Sequence, residues 1–488
     1  MTIKLPSTKI VLLLTALSVL AFGKIEASQV KASSFGYNSS DATDALKAAF
    51  RSNYDTVIVD YKAAGWNVGP ITLFDIKNKV IIFEPGVVLR AITGRFNARN
   101  AKLLKLARPL NLTILGYGAK FKMNKAEYTN LDPNTEYRVS FEIQHGVNVT
   151  VKGLTLEESG GDGVYLSGNT SKNIVLEDLN VINQSRSGIT IISADGLLVK
   201  NCDFSGTSGP IVGSGIKFEP HGIDDKFIDV RFEDCRAFDN GQAGITFGLN
   251  HMTSATAPLD VVFKDCYLSN NSIESRRNPN TEIMLSNGTT NYFAPVGGKI
   301  RFENLVVENV RKSVFKTRKV YNAVKAEFVN CSFKVKPGSL AAPIAMETPN
   351  YRINVPHLGG VSFANTSLEY SNAGPFLAIY GSPTMAGLRD VTGDFLITNP
   401  NITEDDAILY TRVNSYINVN INFDILSAPP PPPPPPGGGS DCSNTLNITA
   451  NETSAGIREA AQTLTASNAI LHSSGTVTYK AGDKVTLK

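Results

Sequence analysis

One pattern returns four times between Asn148 and Phe247, and its spacing leaves this chain few folds to choose from. The segments are NVTVKGLTLEESGGDGVYL, NIVLEDLNVINQSRSGITI, LLVKNCDFSGTSGPIVGSGIKF and FIDVRFEDCRAFDNGQAGITF. Each is an alternating apolar strand, a polar corner and a short second strand opened by a glycine. A repeat of this length cannot bury its apolar face alone, so the units must stack into a solenoid whose core is continuous.

Aligning the opening glycines puts Gly163, Gly188, Gly215 and Gly244 in one column, separated by 25, 27 and 29 residues. Side chains alternate across a strand, so Val164/Leu166, Ile189/Ile191, Ile216/Phe218 and Ile245/Phe247 are expected to point inward. Tyr165, Thr190, Lys217 and Thr246 then point outward. The first strands supply an independent column, Leu154, Leu179, Cys202, Cys235, Cys266, Leu305 and Cys331. Each is preceded by Gly153, Asp178, Asn201, Asp234, Asp265, Asn304 or Asn330, residue types that tolerate tight bends.

The repeat becomes looser towards the N-terminus and carries larger insertions beyond Phe247. Ahead of the coils, Ala45, Leu46, Ala49 and Phe50 form the apolar face of a short helix after Ser40 and Asp41, followed by a strand over Thr56 to Val59. Such a helix can cover the open end of a solenoid. Insertions after Gly248, Asn270 and Asn287 are expected to wall one flank. The domain reading is a signal peptide over 1–27, coils over 28–426, a Pro/Gly-rich linker over 427–440 and a small module over 441–488. The signal rests on Lys4, Lys9, the apolar run Ile10 to Phe22 and small residues at Gly23 and Ala27. The linker contains eight prolines, Pro429 to Pro436. In the module, Val477/Tyr479 and Val485/Leu487 read as a hairpin.

The 488 residues carry a net charge of +3 with Lys and Arg scattered, which argues against nucleic acid or a membrane surface as partner. No stretch is long and apolar enough to span a bilayer. Of five cysteines, four share the inward column at intervals of whole coils, where parallel Cβ vectors are poor geometry for a disulfide. They are expected to be buried and reduced, leaving Cys442 apart.

The DATDALKAAF segment, VTVKGLTLEESGGDGVYL, SRSGITIISADGLLVKNCDF and SGIKFEPH together resemble secreted right-handed parallel β-helix proteins of the pectate-lyase-like superfamily, over about residues 35 to 425. The resemblance implies an all-β, right-handed parallel β-helix with an N-terminal helical cap. It also implies a secreted monomer whose partner is a polysaccharide. Within such a fold, lyases, hydrolases, epimerases and noncatalytic proteins all occur. The tail from Ile448 is similar to short C-terminal modules of exported Bacteroidetes-type proteins, whose Pro-Gly-Phe ending is missing here, which implies a truncated module.

The outward column singles out one row. Lys217, Glu219 and His221 project from consecutive alternate positions, with Tyr165, Asp162, Arg186, Asn250 and His251 on neighbouring coils and Glu142 on an earlier one. Charged side chains on an outer solenoid face are ordinarily only solvated, and a surface pair contributes about 0–1 kcal/mol. Histidine is scarce, however, with five in the chain, and His221 and His251 end consecutive coils. The expectation is a shallow groove for an extended acidic sugar chain. Eliminating or epimerising a uronate needs a base, a cation against the carboxylate and a proton donor. His221 suits the base, Lys217 with Arg186 the cation, and Tyr165 the donor. Glu219 beside Lys217 is expected to favour its charged form. Calcium could replace a cation through Glu219, Asp224, Asp225 or Asp162 oxygens. The alternatives are a glycoside hydrolase using Glu219 with Asp162 or Glu142, about 5–10 Å apart, and a noncatalytic carbohydrate-binding or adhesive surface.

Overall fold

The computed structural model describes residues 28–131, 136–274, 280–287, 294–348, 356–382 and 385–426, and the backbone of three strands beyond them. The chain divides into two compact units, Met1–Ser427 and Ala428–Lys488. The expected signal peptide, the linker and Cys442 lie outside the described residues.

The first unit is a solenoid of parallel strands. A twelve-stranded sheet runs from Ile71–Phe74 to Ile408–Thr411, taking one strand from each coil, and a larger sheet forms the other sides. The register is the one expected from the opening glycines: Val164, Ile189, Ile216 and Ile245 pair in succession and are at most 1% exposed. Glycine is required in that column by space. A Cβ on Gly163 would lie 2.2 Å from Val181 Cγ1, and one on Gly188 would lie 2.6 Å from the carbonyl oxygen of Gly215.

The corner column turns as its residue types suggest. Asp178, Asn201, Asp234, Asp265, Asn304 and Asn330 all take φ between 49° and 58°, and Gly153 takes 76°. This left-handed conformation is least costly for Gly, Asn and Asp. The side chains also bond from coil to coil: Asn201 Nδ2 donates to Asp178 Oδ1 at 2.6 Å, and Asn304 Nδ2 to Asp265 Oδ1 at 2.7 Å. One residue later the chain turns inward, and Leu154, Leu179, Cys202, Cys235, Cys266, Leu305 and Cys331 are all buried. The four cysteines are free thiols. Inside, Phe232, Phe263, Phe302, Phe328 and Phe363 stack face to face at 4.7–5.2 Å.

At the N-terminal end, the helix Thr43–Arg51 buries Ala45, Leu46, Ala49 and Phe50 in the same core. Asp41 opens it, accepting from the Thr43 amide at 3.0 Å. Among the described residues no helix is long and apolar enough to cross a membrane. In the second unit, Thr476–Tyr479 pairs antiparallel with Asn444–Asn447 and with Ile470–Leu471. The expected partner strand around Val485 lies outside the described residues.

Candidate functional site

The outward column of the twelve-stranded sheet reads Thr72, Lys105, Glu142, Tyr165, Thr190, Lys217 and Thr246, each paired with the next. The expected column from Tyr165 to Thr246 is present, and Glu142 joins it. The surroundings differ from the shallow groove anticipated from sequence. Segments 98–102 and 136–139 rise beside the sheet and, with Thr72, Lys105, Glu142 and Tyr165 of the outward column, enclose a cleft of about 700 Å³. Lys217, expected in the site, lies beyond its lining and reaches it only through Glu219. The walls come from the N-terminal coils; the described residues that follow Gly248 do not line the cleft, and much of the insertions expected after Asn270 and Asn287 lies outside the described residues.

His221, Glu219, Arg186 and Tyr165 line the cleft with Glu142, Lys102, Lys105, Tyr137 and Phe74. Asn250 and His251 do not. They sit exposed in the turn after Ile245–Gly248, because that coil ends beyond the walled stretch. Asp162 does not face the cleft either: it is fully buried, with Oδ2 accepting from Arg186 Nη1 at 2.8 Å and Oδ1 from the Ser187 amide at 2.9 Å. Its place is behind the layer that faces the cleft, holding Arg186.

The row therefore forms a chain of charges. Arg186 bridges Asp162 to Glu219, its Nη2 lying 2.5 Å from Glu219 Oε2, and Glu219 Oε1 accepts from Lys217 Nζ at 2.7 Å. This is not the weak surface pair that sequence allows, because Arg186 is only 7% exposed and Lys217 only partly accessible. Burial opposes the charge on Glu219, yet the Arg186 and Lys217 cations outweigh it and hold the carboxyl down at about 2. Burial and the neighbouring Arg186 guanidinium lower the Lys217 ammonium from its ordinary value, against the pull of Glu219. That reverses the expectation drawn from Glu219 alone. Burial, then the charge on Asp162, raise the Tyr165 hydroxyl far above its usual range.

The His221 side chain is exposed at the edge of the cleft, and its backbone amide donates to Asp225 Oδ2 at 2.7 Å. The oxygens considered for calcium are largely engaged within the protein. Those of Asp162 and Glu219 meet Arg186, Lys217 and the Ser187 amide, and Asp225 accepts from the amides of His221 and Gly222. Among the described residues no group of three or more His, Cys, Asp and Glu side chains is placed to hold a metal ion. For a carboxyl pair, Glu142 and Glu219 both line the cleft, but each is engaged with cations, Glu142 with Lys105 and Glu219 with Arg186 and Lys217.

Residues 118–294 match the family model described as a right handed beta helix region. The fold is a right-handed parallel β-helix. No curated protein matches the sequence. Among solved structures, this β-helix is similar to the Streptococcus pneumoniae surface protein and adhesin PfbA at 12% identity and a TM-score of 0.51, over 82% of this chain and 100% of the other. It is also similar to the pectate lyase Pel9A, at 15% identity and a TM-score of 0.40 over 64% and 68% of the two chains. The polygalacturonase from Erwinia carotovora ssp. carotovora matches at 13% identity and 0.44 over 81% and 96%. At these identities the likeness is one of fold.

The β-helix residues that sequence reasoning missed are Lys102, Lys105 and Tyr137. A signal for Lys105 existed: Leu104–Ala107 alternates like the later second strands, and it pairs with Phe141–Gln144. Lys102 and Tyr137 lie in connecting segments without the repeat's periodicity, and only the fold brings them over the sheet.

Proposed function

We propose that this chain is an exported polysaccharide-active β-helix that binds an acidic, uronate-bearing polysaccharide in the cleft and cleaves or epimerises it by removing the proton beside the carboxylate. Residues 1–27 direct export, and 427–440 form the joint to the module 441–488. The observation that carries the reading is the Asp162–Arg186–Glu219–Lys217 chain of charges, whose Arg186 and Glu219 line the cleft with His221 at its edge.

In this reading His221 takes the proton from the carbon next to the carboxylate. Lys217 and Arg186 oppose the charge that spreads onto the carboxylate as the C–H bond breaks. In elimination the electron pair forms a C=C bond and expels the glycosidic oxygen, which takes the proton of Tyr165. Tyr165 holds that proton at neutral pH in any case, and burial, which raises it further, makes its release depend on the charge that develops on the leaving oxygen. Glu219 orients the two cations. Ionised down to about pH 2, it is a poor source of the proton that a glycosidase acid must supply. Asp162, being buried and bonded, does not complete a carboxyl pair.

A binding-only reading has one observation of its own. Phe74 and Tyr137, 53% and 45% exposed, offer flat faces on which sugar rings can stack. An absorbance assay for unsaturated uronates across acidic polysaccharides separates the two. Product from the wild type and none from His221→Ala is expected. Sugar binding with neither unsaturated product nor solvent-proton exchange beside the carboxylate, the mark of epimerisation, in any substrate would leave only the binding role.

A further inference from the structure

The cleft and the Lys217 cluster that adjoins it through Glu219 differ in charge. Around Lys217, two cations, Arg186 and Lys217, meet two carboxylates, Asp162 and Glu219, so the cluster is balanced. Around Glu142, two cations share one carboxylate. Lys105 Nζ donates to Glu142 Oε1 at 3.0 Å, as does Ser167 Oγ at 3.2 Å, while Lys102 Nζ stays 3.9 Å from Oε2. That Oε2 is buried and has no hydrogen-bond partner, in a side chain only 3% exposed. Glu136 also lines this wall, and Arg99, 5.3 Å from the Tyr137 ring centroid on the same wall, offsets its formal charge.

Lys102 is built into the cleft. Its ammonium donates to the Tyr137 carbonyl and lies 5.9 Å from the ring centroids of both Tyr137 and Tyr165. An ammonium has three N–H donors, so further donors remain to meet an anion there. Burial lowers Lys102 from its ordinary value although Glu142 and Asp162 pull the other way, as expected of a cation short of counter-charge.

Position along the axis follows from register. Lys102 sits beside the rungs of Glu142 and Tyr165, and Lys217 lies three and two rungs further on, about 10–14 Å at ordinary strand spacing. This exceeds one pyranose and is close to two. Building on the uronate reading above, we infer that Lys102 is a second carboxylate seat, which takes the uronate two sugars away from the one at Lys217. The ligand then lies along the solenoid axis and has at least three sugars, with carboxylates two sugars apart.

The test is calorimetric binding in a His221→Ala background, which prevents turnover, with tetragalacturonate, a hyaluronan tetrasaccharide, and a disaccharide carrying a single uronate. Lys102→Met should weaken the best-bound tetrasaccharide about tenfold or more, the usual scale for a charge-assisted hydrogen bond. It should leave the disaccharide unchanged. Lys217→Met should weaken both, and Lys102→Arg should retain most of the affinity, which separates lost charge from lost packing. If Lys102→Met changes neither ligand while Lys217→Met weakens both, the second seat is wrong and the primary site stands. Loss of disaccharide affinity in Lys102→Met also overturns the seat, since Lys102 would then hold the first carboxylate. If neither lysine matters for any acidic ligand, both readings fall.

Discussion

Arg186 Nη2 lies 2.5 Å from Glu219 Oε2, while Nη1 of the same guanidinium is held at 2.8 Å by the buried Asp162. The contact joins a residue inside the wall of the coil to one that faces the cleft, so stability and site geometry depend on one side chain. Replacing Arg186 with Met would leave Asp162 buried without its cation, a change that typically costs about 3–5 kcal/mol. Chemical denaturation checks this. A loss below about 1 kcal/mol, within the range of an ordinary surface pair, would contradict the network.

Glu219 gives the network a pH dependence. Its carboxyl is near 4.5 when unperturbed and about 2 in the fold, so the folded state binds the proton less tightly than the unfolded chain. The stabilisation is complete above about pH 4.5 and is lost as the pH falls through about 2. Between these limits the wild type should lose more stability than Glu219→Gln, measured as the denaturation midpoint against pH. Parallel curves would show that Glu219 is not held as described.

Much of this was legible in the sequence because a solenoid repeats its constraints. The glycine column, the left-handed corners at Asp178 and Asn201 and the buried positions of Cys202 and Cys235 each follow from a local rule applied coil after coil. The row Lys217, Glu219 and His221 was legible for the same reason. What stayed hidden depended on non-repeating segments: Lys102 and Tyr137 reach the sheet only through walls with no period. Arg186 and Asp162 look like surface residues until the corner between them is seen to fold inward. The direction of the Lys217 shift was hidden too, since it is set by burial and Arg186 more than by the adjacent Glu219.

The cysteine column offers a test of register. Cys202, Cys235, Cys266 and Cys331 are buried free thiols; burial raises Cys235, and the Cys235 thiol followed by burial raises Cys266, both well above their ordinary value. The four should therefore resist alkylation in the folded protein and all react after unfolding without reductant. Fewer than four reactive groups would mean a disulfide and a wrong register. Cys235→Asp should lower the melting temperature sharply by burying a charge without a partner, whereas Lys325→Ala, at an exposed position, should hardly move it.

The roles along the row predict different kinetic signatures. Lys217→Ala should weaken binding and turnover together, because a cation meets the carboxylate in both the ground and transition states. Glu219→Gln should retain partial activity, since Glu219 only orients Lys217 and Arg186. Near-complete loss in that variant, with binding intact, would point to Glu219 as a reacting group and favour hydrolysis.

The most direct measurement compares wild type and His221→Ala on a uronate polysaccharide, following the absorbance of unsaturated product and the affinity for the same polymer. A base acts mainly in the transition state. The account predicts that His221→Ala abolishes product formation while its affinity stays within about twofold of the wild type, a change worth less than about 0.5 kcal/mol. Equal rates of product formation in the two proteins, or no product from the wild type on any acidic polysaccharide that it binds, would contradict it.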